Sequence, residues 1–323
     1  VKLSAYRFSL ALIGLMTWTI HSAYANDSTG WISTGGVQYL KNKDIRMASE
    51  DLYISMDKIR VQYEFFNDSD QTITETVLFP LPALRLGMDG DFADVDSLHN
   101  SFKIWVNGKP VAPQKNLRVL WGKKDITEPF KRTCKLNEAV IVAPYNDGRD
   151  DDYFEQHIEP CLQTLKQQKV IEYKPKDDSK HSIRSWDAQM IYSWQQKFPA
   201  QSSLRVTHEY APLVGGSVLL PRTADEGLRE FKRDYCIDNT FMSKLGKRPA
   251  SYSALGYILT TGANWAKPIE RFHLTIDKPK DRLLSVCWDE SLKKMSDTRF
   301  EANKTNFTPK RDLEVLFALP YQD

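Results

Sequence analysis

From Lys58 to Phe65 the chain alternates without a break, with Ile59, Val61, Tyr63 and Phe65 on one side and Lys58, Arg60, Gln62 and Glu64 on the other. A period of two places every second side chain on the same face of an extended strand, so one face belongs in a core and the other in water. The pattern returns at Leu204, Val206, His208 and Tyr210, interleaved with Arg205, Thr207, Glu209 and Ala211. It returns again at Phe272, Leu274 and Ile276, interleaved with Arg271, His273 and Thr275. Strands of this kind must pair, and antiparallel sheets with one wet face are the usual outcome. Partner strands are at hand. Ile73 to Phe79 follows the turn residues Asn67-Asp68-Ser69-Asp70, and Pro80 and Pro82, which have no N–H for a ladder, close it. Phe102 to Val106 runs into Asn107-Gly108, the commonest two-residue hairpin signal, and Leu313 to Leu319 reads as a closing strand.

Between these strands lies a stretch of different character. Residues 121–185 are highly charged and then turn helical, with Phe154, Ile158, Cys161, Leu162 and Leu165 at helical spacing. Asp150, Asp151 and Asp152 precede them, suited to the positive end of a helix, and Pro160 marks a place where the helix starts or bends. Lys174 to Ser182 reads as a mobile polar loop. A further helix is expected after Thr223-Ala224-Asp225-Glu226, a capping-box pattern, with Leu228, Phe231 and Tyr235 on its apolar side. A length of 323 residues suits two cores. The expected fold is mainly β (α+β), with two antiparallel β-sandwich-like sections, the first interrupted by a helical, charged insertion. The expected division is a first section over 26–220 with the insertion at 121–185, a helical connector over 221–250 and a C-terminal β section over 251–323. As an insertion, the charged segment is expected to be separable from a folded core.

The first 25 residues follow the plan of a secretory signal peptide: basic Lys2 and Arg7, a largely apolar run from Phe8 to Ile20, and Ala23-Tyr24-Ala25 as the small-x-small cleavage pattern. The apolar run, about 13 residues, falls short of the roughly 20 that span a bilayer as a helix. The expectation is therefore an exported protein with no transmembrane segment after signal removal, periplasmic or secreted. The chain carries 44 Lys and Arg against 42 Asp and Glu, and removing Lys2 and Arg7 makes the balance even. An even balance takes away the electrostatic argument for nucleic acid as a partner.

Cys134, Cys161, Cys236 and Cys287 make an even set in an oxidising compartment. No Cys-x-x-Cys pair occurs, which disfavours a zinc knuckle or a redox pair. Of the three pairings open to four cysteines, Cys134–Cys161 and Cys236–Cys287 are favoured because they join near neighbours in the chain.

Candidate chemistry is sparse. His208-Glu209-Tyr210-Ala211-Pro212 starts like a zincin motif, but Pro212 stands where the second histidine belongs and the stretch alternates as a strand. The acidic loop Asp147, Asp150, Asp151 and Asp152 is the weak candidate for a metal. With Gly148 at the sixth place of an EF-hand loop, Ala143, Tyr145 and Phe154 occupy ligand positions, which excludes that motif. No Gly-x-Ser-x-Gly elbow, P-loop or dinucleotide glycine pattern occurs, and no cofactor is expected. Trp105 lies opposite Ile104 and Val106 in the hairpin, so it is the tryptophan placed to form an exposed partner surface.

Several strings resemble the exported bacterial family of domain of unknown function 4424. They are Asn26-Asp27-Ser28-Thr29, Ser49-Glu50-Asp51-Leu52-Tyr53-Ile54, Phe79-Pro80-Leu81-Pro82, Trp194 with Phe198-Pro199, His208 to Pro212, and Thr261-Gly262-Ala263-Asn264-Trp265 followed by Pro268-Ile269. The resemblance implies an exported protein of a Gram-negative bacterium and supplies no catalytic residues. A strand pair ending in Phe-Pro-Leu-Pro with a later strand like Leu204 to Tyr210 is also similar to the VIT-type β-sandwich, a likeness of fold alone. Together these observations favour a non-catalytic protein that binds a protein or glycan. The alternatives are an envelope or secreted hydrolase using carboxylates or a loosely bound divalent metal, and a structural component of a cell-envelope assembly.

Overall fold

The computed structural model describes residues 28–33, 36–85, 91–93, 101–144, 148–172, 186–212, 214–219, 226–248, 250–288 and 291–321. The expected signal segment over 1–25, the loop from Lys174 to Ser182, Asp147 and the Thr223 capping position lie outside them.

The described chain is mostly β. Its strands are, in order, β1 (Ser28–Ser33), β2 (Gly36–Leu40), β3 (Ile45–Ile54), β4 (Ile59–Asn67), β5 (Ile73–Pro80), β6 (Leu84–Arg85) and β7 (Asp91–Ala93). There follow β8 (Lys103–Val106), β9 (Lys109–Val111), β10 (Gln114–Trp121), β11 (Lys124–Asp125), β12 (Asp187–Phe198), β13 (Ser203–Tyr210) and β14 (Val214–Leu219). The last are β15 (Ala250–Tyr257), β16 (Ile269–Asp277), β17 (Leu283–Cys287), β18 (Lys293–Lys294), β19 (Arg299–Phe307) and β20 (Leu313–Leu319).

They form three sheets. The first runs β11-β10-β12-β5-β1-β2, with β6 also on β12. The second runs β18-β19-β16-β3-β4-β13-β8-β9, and the third β17-β20-β15-β14-β7. Pairing is antiparallel except between β3 and β16, which run parallel with Leu52 beside Leu274. That one pair carries β16, β19 and β18, from the C-terminal part of the chain, into the same sheet as β3, β4 and β13.

The alternating residues do what their period requires. Ile59, Val61, Tyr63 and Phe65 on β4, Leu204, Val206, His208 and Tyr210 on β13, and Phe272, Leu274 and Ile276 on β16 are all buried. They meet Val77 and Phe79 of the first sheet and Val315 and Phe317 of the third in one core. The other face of the third sheet, through Leu316, Ala318, Ala250 and Ala254, makes a smaller core with Ile237, Phe241 and Leu245. Phe241 and Leu245 come from helix Asn239–Leu245 and Ile237 from the turn that joins it to helix Glu226–Asp234, whose Phe231 packs against them. Cys236 bonds Cys287, pinning that turn to the end of β17.

The helical segment after β11 packs into the large core. Phe130 of helix Thr127–Cys134, Val140 and Ile141 of Glu138–Val142, and Leu162 and Leu165 of Glu159–Gln167 are buried in that core. Trp186, wholly buried, donates its indole N–H to the Ile141 carbonyl at 2.7 Å and packs on Phe130 with ring centres 4.8 Å apart. Cys134 bonds Cys161 across two of the helices. Pro160 is accommodated by a wider π-turn over Phe154–Ile158 that leads into the last helix, with Pro160 in its first turn, where a missing N–H costs least.

The start of the segment is fixed by one carboxylate. Asp125 accepts the Thr127 hydroxyl at 2.6 Å, the Thr127 N–H at 3.0 Å and the Arg118 guanidinium at 2.7 Å. Burial alone would raise this carboxyl, but the bonds from Thr127 and Arg118 outweigh it and hold it below its ordinary value. Folding thus favours the ionised form. Its contribution is complete above the ordinary value of 3.8 and is lost as pH falls through the lower folded value. Asp125→Asn is expected to cost about 1–3 kcal/mol at pH 7 and progressively less as pH falls below 3.8, as read by urea unfolding across that range. An equal cost throughout would remove the ionised carboxylate from the account.

Candidate functional site

The wet face of the second sheet is a polar surface laid out in rows. One row crosses six strands: Trp105 on β8 lies beside Thr207 on β13, then Gln62 on β4, Asp51 on β3, His273 on β16 and Asn303 on β19. The row on one side holds Arg205, Glu64, Ser49 and Arg271, and the row on the other holds Lys103, Glu209, Arg60 and Tyr53. Every one of these is an outward position of the same alternation that fills the core.

Around Trp105 this face forms an open groove of about 740 Å³, lined by Arg60, Gln62, Glu64, Arg205, Thr207 and Glu209 and closed at one end by Asn107-Gly108. Trp105 is half-buried and lines it on the β8 side. The turn that holds the tryptophan is tight. Asn107 and Gly108 have φ of 48° and 77°, the left-handed pair that a two-residue hairpin needs, and Gly is the residue that adopts it without strain. Asn107 also ties the hairpin to β13: its side-chain oxygen accepts the Arg205 N–H at 3.0 Å, and its own N–H donates to the Arg205 carbonyl at 2.8 Å.

Charges on this face are largely spoken for. Glu64 pairs with Arg271 at 3.5 Å and Glu209 with Lys58 at 3.6 Å. His273 lies 3.0 Å from Asp51 and 3.9 Å from Glu301. Towards the far edge, Arg299 forks onto Asp277 at 2.9 and 2.8 Å and Tyr53 donates to the same carboxylate at 3.1 Å. The Arg299 bonds hold the Asp277 carboxyl below its ordinary value, while burial and the neighbouring Asp277 charge raise the Tyr53 hydroxyl.

The other sequence candidates fall elsewhere. His208 sits on the inner face of β13, wholly buried in a cage of Phe79, Phe102, Trp194 and Tyr63 whose ring centres lie 4.7 to 5.6 Å away. It belongs to the core, and Glu209 beside it points to the opposite face. Asp150 caps a helical turn by accepting the Tyr153 N–H at 3.0 Å, and Asp151 and Asp152 are exposed in that turn. Among the described residues no three His, Cys, Asp or Glu side chains converge to hold a metal. Inside the core, the Tyr63 and Tyr257 hydroxyls lie 3.0 Å apart and Tyr257 donates to the buried Glu50 at 3.4 Å, tying the second sheet to the third.

Sequence reasoning singled out Trp105 and passed over Arg60, Gln62, Glu64, Arg205, Thr207 and Glu209 as site residues. Their signal was in plain view as the polar half of two alternating strands. What period two does not give is that β4, β13 and β8 lie side by side, which is what gathers these residues around the indole.

Among curated proteins, none is significantly similar in sequence. Solved structures give distant likenesses. A Legionella pneumophila protein described as a candidate nutrient binding protein aligns with a TM-score of 0.45 and 14% identity, over 91% of this chain and 70% of its own. Yeast LTA4 hydrolase in complex with bestatin aligns at 0.31 and 7% identity, over 87% of this chain and 30% of its own. The M1 zinc metallopeptidase of Deinococcus radiodurans aligns at 0.28 and 7%, over 86% and 43%. Scores this low carry no functional argument. The family model is decisive: the one described as domain of unknown function (DUF4424) matches residues 25–316, nearly the whole described chain, and the protein belongs to that family.

Proposed function

We propose that this is a non-catalytic binding protein of an oxidising, extracytoplasmic compartment, and that its ligand is a glycan held on the wet face of the second sheet. The observation that carries the reading is the groove that Trp105 lines. An indole ring offers a flat apolar surface to the C–H face of a sugar, and the planar polar side chains around it offer donors and acceptors to hydroxyls. That combination of one aromatic anchor with several convergent polar groups is how small polar ligands are oriented. The two disulfides support the choice of compartment, as does the signal-like segment. No helix of the described residues is long and apolar enough to cross a membrane.

Trp105→Ala is expected to weaken binding to responsive members of a glycan array by about tenfold or more, while unfolding free energy changes by only about 0.5 kcal/mol, because the ring faces water and not the core. Glycan binding that is unchanged in this variant, or absent from the parent protein, would sink the proposal.

A further inference from the structure

The groove has a charge imbalance that its composition hides. It is lined by two arginines and two glutamates. Each arginine lies directly opposite a glutamate across the strands, Arg205 beside Glu64 and Arg60 beside Glu209. Yet both carboxylates turn to cations outside the groove lining, Glu64 to Arg271 and Glu209 to Lys58. The guanidinium groups of Arg60 and Arg205 are exposed, and among the described residues neither makes an ion pair. Arg271 is shared between Glu64 and Glu270, Lys58 serves Glu209, and the two cations without a partner are the ones that line the groove.

Their placement is informative. Thr207 is level with Trp105, Arg205 lies two residues to one side of it on β13, and Arg60 lies one row to the other side on β4. At about 3.3 Å per residue and 4.8 Å between strands, the two Cα atoms stand roughly 14 Å apart, and Trp105, on β8 at the other side of β13, is level with their midpoint along the strands. That span is comparable to about three sugar units. A guanidinium is built to take a carboxylate or sulfate through paired N–H donors, and it does so best where no protein anion competes.

We infer that the ligand of this groove is an acidic oligosaccharide, with a sugar ring on Trp105 and anionic groups held by Arg60 and Arg205; the inference rests on the glycan reading above and narrows it. An acidic peptide fits less well. Peptides are taken up by adding a strand at a sheet edge or by filling apolar pockets. Here the groove lies on the face of the sheet, over β4, β13 and β8, and not at its β9 edge, and its lining is polar apart from the indole.

The test is calorimetric titration of the full chain with three kinds of probe. These are acidic oligosaccharides carrying uronate, sialyl or sulfate groups, their neutral counterparts, and oligoglutamate of matched length. At least one acidic oligosaccharide is expected to bind about tenfold or more tightly than its neutral counterpart. The Arg60→Gln/Arg205→Gln variant is expected to abolish that preference and leave the circular dichroism spectrum unchanged. Added salt should weaken the acidic ligand more than the neutral one. Neutral oligosaccharides that bind as well as acidic ones would overturn the inference and leave the glycan reading standing. So would a preference that survives the double substitution. Oligoglutamate that binds as tightly as the best saccharide, without dependence on Trp105, would replace sugar recognition by bare charge and overturn it as well. A protein that binds none of the saccharides overturns the glycan reading itself.

Discussion

Trp186→Ala is expected to lower the unfolding free energy by about 4–8 kcal/mol, the largest effect of any single substitution considered for this chain. Two losses combine. A fully buried indole is removed from its packing against Phe130, and a cavity of that size costs about 3–5 kcal/mol. The Ile141 carbonyl then loses the N–H that reaches it at 2.7 Å, adding about 1–3 kcal/mol if no water replaces it. Trp186→Phe separates the terms, since most of the ring volume stays and only the hydrogen bond goes; a cost of about 1–2 kcal/mol is expected there. Guanidinium unfolding of the three proteins supplies the numbers, and limited proteolysis supplies the location, because cleavage should concentrate in the helical segment that Trp186 anchors. An Ala variant within 1 kcal/mol of the parent would mean that the helices are an appendage after all.

Removing the bridge between Cys236 and Cys287 is expected to have the next largest effect. The bond closes a loop of 51 residues, for which chain entropy predicts about 4 kcal/mol at 25 °C. The Cys134–Cys161 bridge, closing 27, should contribute slightly less, about 3.6 kcal/mol. The two losses should differ in kind more than in size. Cys134 and Cys161 lie against the large core, whereas Cys236 anchors a helical pair that shares only a small one with the third sheet. The remaining ties there include the Ser285 hydroxyl, which donates to the Tyr235 carbonyl at 2.8 Å. In Cys236→Ser/Cys287→Ser, hydrogen exchange over Phe231 to Leu245 should become fast while the β4 and β13 amides stay protected. Uniform acceleration across the chain would instead show that the helical pair unfolds only with everything else.

How much of this was legible in the sequence depends on whether a strand has a wet face. β4, β13 and β16 each have one, so Ile59 to Phe65, Leu204 to Tyr210 and Phe272 to Ile276 announced both their conformation and their inward residues. The Asn107-Gly108 turn was equally plain. β12 is the counterexample. It is one of the longest strands, but Ala188, Met190 and Tyr192 are buried on one face and Gln189, Ile191 and Ser193 on the other, so no alternation marks it. Over residues 121–185 the helical spacing of Phe154, Ile158, Cys161, Leu162 and Leu165 was legible, but the depth of burial there was not, because the apolar side of the helices is narrow. Phe130, Ile158, Leu162 and Leu165 are few among many charged neighbours, yet each is completely buried. The groove was half legible: the outward polarity of Arg60 and Arg205 was visible, but adjacency of their strands and the capture of Glu64 and Glu209 by other cations are facts of three dimensions.

The parallel pair of β3 and β16 also dictates an order of events. His273 bonds Asp51 across a sequence separation of 222 residues, and the backbone pairing beside it is just as distant. The hairpin of β3 and β4 can form early, since its ends are close, but the free side of β3 has to wait for nearly the entire chain to be made. During that wait it is an open strand edge carrying Leu52 and Ile54, the kind of template on which chains pair with the wrong neighbour. Yield on refolding should therefore fall steeply with protein concentration, and whatever keeps young chains apart in the cell has to act until the residues of β16 are available.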